Sequence, residues 1–323
     1  MANLTNISGS TSGNNTQLTN VILDVYSDEI LYQAQPNLRF EQIAQKRSDL
    51  TTLPGQKIKF LKYNSIDGDA ALTETTAMET GVISTATLQI TVAEYGKALA
   101  FSEALLRASV TDLLRDAATL LGHHYARFRD SMVRDSLLGS ANVIYANFKT
   151  TRAGLIATDV FNVDLIRETV ETLATNKAPK FSADGYITFI HPRQAKSIRK
   201  DDAWQQANQY ANADKIFNGE TGKIEDMRFI ETTQVTLIKK TTQQIWADGK
   251  NTGKTTSIAA NAVTDVYQAI AVGEYAVGVA EALPVEMRDD GVTDFGRTHK
   301  LGWYGIFGAG LLETGHAVIL ETA

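Results

Sequence analysis

The stretch SVTDLLRDAATLLGHHYARFRDSMVRDSLLG, residues 109–139, decides how the rest of this chain can fold. After Leu106, apolar side chains recur at Val110, Leu113, Ala117, Leu121, Phe128 and Met132, and Leu114, Ala118 and Tyr125 widen the stripe. Steps of three and four place them on one face of an α-helix. Ser109 is a good N-cap, Asp112 falls at N3 where negative charge is favoured, and Gly139 stands where a left-handed terminator would fall. No Pro interrupts the stretch, so the helix can run for about 44 Å at roughly 1.5 Å per residue. Arg115, Asp116, Arg127, Asp130, Arg134 and Asp135 dress the other face. The expectation is an amphipathic core helix, long enough to serve as a single rod for the fold.

Composition bounds what surrounds it. The chain has 323 residues, which predicts about two domains or one large one with extensions. A hydrophobic fraction of 43% is ample for a core. No apolar run approaches the roughly 18 residues of a membrane span, and the N-terminus lacks the basic-then-apolar layout of a secretory signal. These features predict a soluble protein with no membrane partner. The absence of cysteine excludes disulfides, thiolate catalysis and Cys-based zinc sites. A net charge of -6 disfavours tight, indiscriminate nucleic-acid binding.

Residues 1–19 are mostly Asn, Thr, Ser and Gly, with Leu4, Ile7 and Leu18 isolated among them. Such a segment buries too little to offset its ordering entropy. It reads as a disordered tail or as an arm that orders against a neighbouring subunit. Val21 to Lys46 reads as helical, broken near Pro36. Pro54-Gly55 turns the chain into Lys57–Tyr63, which alternates like a half-exposed strand. A Thr-rich excursion follows, and then a second alternating strand through Leu88, Ile90 and Val92. Together they make a long two-stranded flap, marginal alone and expected to lie on something else.

Beyond the long helix, strands are expected at Asn142–Asn147, Tyr186–Ile190, Arg228–Ile230, Val235–Ile238 and Tyr267–Val272. Helices are expected at Val163–Asn176 and from Pro192 onward. Residues 240–262 read as a surface loop or insertion. From Leu283 the chain returns to alternation, through Val285–Arg288, Leu301–Phe307 and His316–Leu320, an antiparallel ending.

Chemical motifs are weak. Gly253-Lys254-Thr255 resembles the end of a phosphate-binding loop, but the Gly five residues earlier is replaced by Asp248. Gly302, Gly305, Gly308 and Gly310 lack a surrounding strand-turn-helix unit and read as a tightly packed strand. His123 and His124 diverge on a helix, and His191, His299 and His316 are isolated. Asp289, Asp290 and Asp294 beside Gly291 read as a solvated turn in preference to a cation site. No residues are assigned to catalysis, cofactor or metal, and the chain is expected not to be an enzyme.

The order of elements, together with particular words, carries a resemblance. The words are the segment Asp67–Glu74, the run Ala141–Asn147, Ile190-His191-Pro192 with Gln194 and Trp204, and Phe217–Ile224 with Arg228–Thr232. From about Leu18 to the C-terminus the chain resembles the major capsid proteins of tailed bacteriophages, in the branch typified by the coat protein of the coliphage called N-four. The resemblance implies an α+β Hong Kong 97-type fold. Residues 1–47 become the N-terminal arm and helix, and 48–95 the extended loop. Residues 96–144 become the peripheral domain with its spine helix, 145–282 the axial domain, and 283–323 the returning peripheral strands.

It further implies a coat subunit that assembles with itself into hexamers and pentamers of an icosahedral shell around double-stranded DNA, touched only loosely by the inner wall. The location implied is the virion capsid, assembled in the host bacterial cytoplasm, with separate scaffolding, portal and decoration proteins as possible partners. Lys62, Asp67, Asp69, Glu74 and Glu79, carried by the flap, are the implied intersubunit contacts. Two rivals are weighed beside it: an encapsulin-type nanocompartment shell, and an enzyme with its site in the 145–282 region.

Overall fold

The computed structural model describes residues 39–48, 57–63, 80–108, 113–181, 185–202, 204, 220–248, 250–255 and 263–323. Within them the rod is a 25-residue helix, Leu113–Leu137, about 38 Å long at roughly 1.5 Å per residue. A short helix, Glu103–Ala108, precedes it. We call the short one α1 and the rod α2. The expected caps Ser109 and Asp112 lie outside the described residues. At the other end Gly139 stays out of the left-handed region, because the helix closes instead through the Ser140 N–H bonded to the Leu137 carbonyl at 3.0 Å.

One half of α2 rests on a four-stranded sheet ordered β1 (Gln45–Arg47), β13 (Val277–Thr293), β14 (Thr298–Leu311), β4 (Ala93–Ser102). Ala117, Ala118, Leu121 and Tyr125 from the helix pack there with Met287, Leu301, Trp303 and Phe307. The expected helix through Lys46 is corrected in its described part. Phe40–Ile43 is a 3-10 turn, and residues 45–47 run parallel to β13, where extended backbone completes the edge of the sheet.

The rest of the core is a nine-stranded sheet. Its main path runs β11 (Lys250–Thr255), β10 (Gln244–Ala247), β9 (Thr236–Ile238), β12 (Val266–Val272), β6 (Tyr186–Ile190), β8 (Met227–Glu231), β7 (Glu220–Ile224). β15 (Ala317–Thr322) pairs with β12 and with β5 (Val143–Tyr145). Both faces are covered, which is why β6 and β12 are buried at every position. On one face lie helices α3 (Val163–Thr175) and α4 (Pro192–Ile198), packed with Trp204 and Phe229. On the other, Ile187, Phe189, Ile270 and Val272 meet Phe40 and the C-terminal half of α2 through Val133 and Leu137.

This double contact corrects the reading of the rod's charged face. Asp130 and Arg134 are 1% and 2% exposed, because the helix is clasped between two layers and not laid on one. The segment expected as a surface loop at 240–262 contains the β10–β11 hairpin, which extends the nine-stranded sheet. Of the strands expected to rejoin the spine's sheet after residue 283, β15 belongs to the nine-stranded sheet, while β13 already begins at Val277.

Candidate assembly surface

The expected flap is a separate two-stranded antiparallel sheet, β2 (Lys57–Tyr63) and β3 (Thr85–Thr91), registered from Lys57 opposite Thr91 to Tyr63 opposite Thr85. Its root is seated on its own chain. Ile58 and Ile90 form a cluster with Val92, Ala280 and Leu312. Two glycines of β14 make the seat possible. A Cβ at Gly308 would run into the Thr91 carbonyl oxygen, and one at Gly310 would come within 3.0 Å of Ile90 Cγ1. The Gly-rich strand is therefore tightly packed, as its sequence suggested.

Outward from the root, burial stops. Leu61 is 55% exposed and Tyr63 67%, and the approach to β3 leaves Val82 and Ile83 at 88% and 67%. Large apolar side chains left open on and beside one hairpin are not what a water-facing strand would choose. Lys62, one of the implied contacts, forms an exposed ion pair with Glu313 of its own chain. Asp67, Asp69, Glu74 and Glu79 lie outside the described residues.

A second arrangement was not legible in the sequence. Where the N-terminal segment meets the rod, Asp130 Oδ1 accepts the backbone N–H groups of Arg39 at 2.9 Å and Phe40 at 2.7 Å. Burial pushes the Asp130 carboxyl up to about 6, against the opposing pull of those two N–H groups and of Arg134. Next to it in the sequence, Arg129 bonds Glu41 at 2.9 Å and Glu281 at 3.3 Å. Burial disfavours the Arg129 charge, but Tyr125, Glu41 and Glu281 outweigh it and hold the guanidinium above its ordinary value. These pairings tie the entering segment, the rod and β13 at one place. A charged run on a helix usually marks a solvated face, so periodicity alone pointed the other way.

The remaining polar candidates are engaged in structural bonds. His124 accepts from the Trp303 indole at 3.2 Å, and burial, with Lys97, Arg127 and Lys250 nearby, lowers its pKa. His191 caps α4, His299 lies 3.0 Å from Glu103, and His316 faces the Glu274 carbonyl. Asp290 pairs with Lys300 and Asp294 with Arg297, while Asp289 accepts the Gly291 N–H. Lys254 of the Gly-Lys-Thr run sits on a strand and pairs with Asp135 at 2.6 Å. Among the described residues no group of His, Asp and Glu is arranged to hold a metal ion.

Known proteins place this geometry. The chain is similar in structure to the capsid of Ralstonia phage GP4, at 15% identity over 87% of each chain with a TM-score of 0.67. It is similar to the capsid of cyanophage Pam1, at 14% identity over 90% of this chain and 92% of that one, TM-score 0.68. The acid-stable capsid of Helicobacter pylori bacteriophage KHP30 matches at 15% identity over 86% and 87%, TM-score 0.65. No curated protein matches the sequence. The fold is thus the Hong Kong 97-type capsid fold expected from the sequence, and a family model described as phage capsid protein matches residues 14–312. That match favours a phage coat over an encapsulin shell, and with it the chain belongs to the phage capsid protein family.

Proposed function

We propose that this chain is the major capsid subunit of a tailed phage, assembling with itself into hexamers and pentamers of an icosahedral shell around double-stranded DNA. The carrying observation is the hairpin, anchored at its root and uncovered beyond it, with Leu61, Tyr63, Val82 and Ile83 exposed. A second copy lying under that outer half would bury them. Lys62, Asp67, Asp69, Glu74 and Glu79 are the contacts proposed for the same interface. Many such modest contacts, repeated by symmetry, would give the shell its stability.

Under this reading the chain divides into arm (1–47), extended loop (48–95), peripheral domain (96–144 and 283–323) and axial domain (145–282). The coliphage N-four branch is supported by the words quoted above. Assembly in the host cytoplasm, with separate scaffolding, portal and decoration proteins and only loose contact with DNA, belongs to the same proposal. A net charge of -6 suits an inner wall that does not grip its contents.

The test is deletion of residues 68–82. The expected product is a soluble, folded subunit, with unchanged secondary structure by circular dichroism, that forms no shells or capsomers in negative-stain micrographs. Normal particles from the deletant would overturn the role given to the hairpin.

A further inference from the structure

Helices α3 and α4 lie on the same face of the nine-stranded sheet, since Leu165, Ile166 and Leu173 of one and Ala195 and Ile198 of the other join a single apolar cluster. Their outward faces carry opposite charge. On α3, Asp164, Glu168 and Glu171 follow at steps of four and three, one stripe along the helix. Arg167 takes Asp164 at 3.1 Å and Glu225 at 3.2 Å. Glu168 and Glu171 have no cationic partner among the described residues. Burial, and then Glu171 beside it, raises the Glu168 carboxyl above its ordinary value, as expected of like charges held close without a counter-ion.

On α4 and the turn after it, Arg193, Lys196 and Lys200 follow at steps of three and four, and Lys240 faces the same hollow of about 690 Å³. Arg193 lies over the Tyr267 ring at 5.7 Å. None of these cations has a carboxylate partner among the described residues. Asp265, an acidic side chain lining the hollow beside Ala323, accepts the Lys240 backbone N–H at 3.1 Å. In a chain of net charge -6 this is a local reversal of sign. Arg193 to Lys200 spans about 10 Å and Glu168 to Glu171 about 4.5 Å at roughly 1.5 Å per residue, so the cationic row is long enough to take both carboxylates.

We propose that the α4 hollow of one copy receives the Glu168 and Glu171 stripe of a second copy. Two different patches can pair reciprocally in a closed dimer or head to tail in a ring or lattice, and the shell reading selects the head-to-tail form. This rests on the shell reading. Exposed pairs contribute little singly, but a complementary pattern repeated around a ring selects partner and register. A nucleic-acid backbone is the competing occupant for the lysines. The second copy is favoured because every copy supplies this acidic pair at the high local concentration of an assembly.

The experiment compares full-length wild type with three variants: Lys196→Glu with Lys200→Glu, Glu168→Lys with Glu171→Lys, and the fourfold charge swap. Sedimentation velocity and negative-stain microscopy measure the assembled fraction, and circular dichroism checks that each variant folds. Each one-sided reversal is expected to lower the assembled fraction at least about tenfold, the factor that about 1.4 kcal/mol represents, and the swap to restore it. Wild type that assembles alongside equally competent one-sided variants would overturn this contact and leave the shell reading standing. So would normal shells from the lysine variant that differ only in nucleic-acid content. Wild type that stays monomeric would instead sink the shell reading, and this contact with it.

Discussion

The nine-stranded sheet and the hairpin answer the same problem in opposite ways. The sheet covers both of its faces with its own chain, so β6 and β12 have no exposed position. The hairpin is seated on its own chain through Ile58 and Ile90, with Phe60 half-buried beside them, and leaves Leu61 55% and Tyr63 67% exposed. Stability of the subunit therefore resides in the sheet and the clasped rod. The hairpin contributes little to holding one copy together, and its exposed outer half is available to hold copies to one another. A self-sufficient region and an incomplete one in a single chain are what a repeating container requires of its building block.

The contrast is sharpest at Phe189, fully buried against Phe40 with ring centroids 4.2 Å apart. Phe189→Ala is expected to lower unfolding stability by about 3–5 kcal/mol in denaturant titration. A loss under about 1 kcal/mol would mean the sheet is not the finished core described above. Asp130 tests the same region through pH. Its folded value of about 6 stands above the ordinary 3.8, so the folded chain holds this proton more tightly than the unfolded one. The associated stability is fully present below pH 3.8 and is lost as pH rises through 6. Relative to Asp130→Asn, wild type is expected to lose on the order of 2 kcal/mol across that window. Parallel pH profiles for the two proteins would contradict it. At the other extreme, Leu61→Ser with Tyr63→Ser should change subunit stability by no more than about 0.5 kcal/mol, while abolishing assembly in the same sedimentation assay. A large stability loss would place the outer hairpin in the subunit's own core.

How much of this could be read in the residues differs by element. The rod, the hairpin strands and the buried runs at 186–190 and 267–272 announce themselves by period and by continuous apolar character. The glycines of β14 pointed correctly to close packing, and the seat of the hairpin explains them. What failed was whatever depended on distant partners. Asp130 and Arg134 looked solvated because a helical wheel cannot show that a second layer closes over the charged face. Residues 45–47 and the 244–255 hairpin became strands because sheet edges elsewhere in the chain were waiting for them. Of the implied contacts only Lys62 lies among the described residues, and it pairs with Glu313 of its own chain, a partner that the sequence pattern did not point to.

The most direct measurement is hydrogen exchange of the full-length chain, followed peptide by peptide in free subunits and in assembled particles. If copies complete one another, amides in 57–63 and 80–91 gain protection on assembly, by tenfold or more, while those in β6 and β12 stay as protected as they already were. Equal exchange of the hairpin in both states would contradict the claim that its uncovered half is finished by a neighbour.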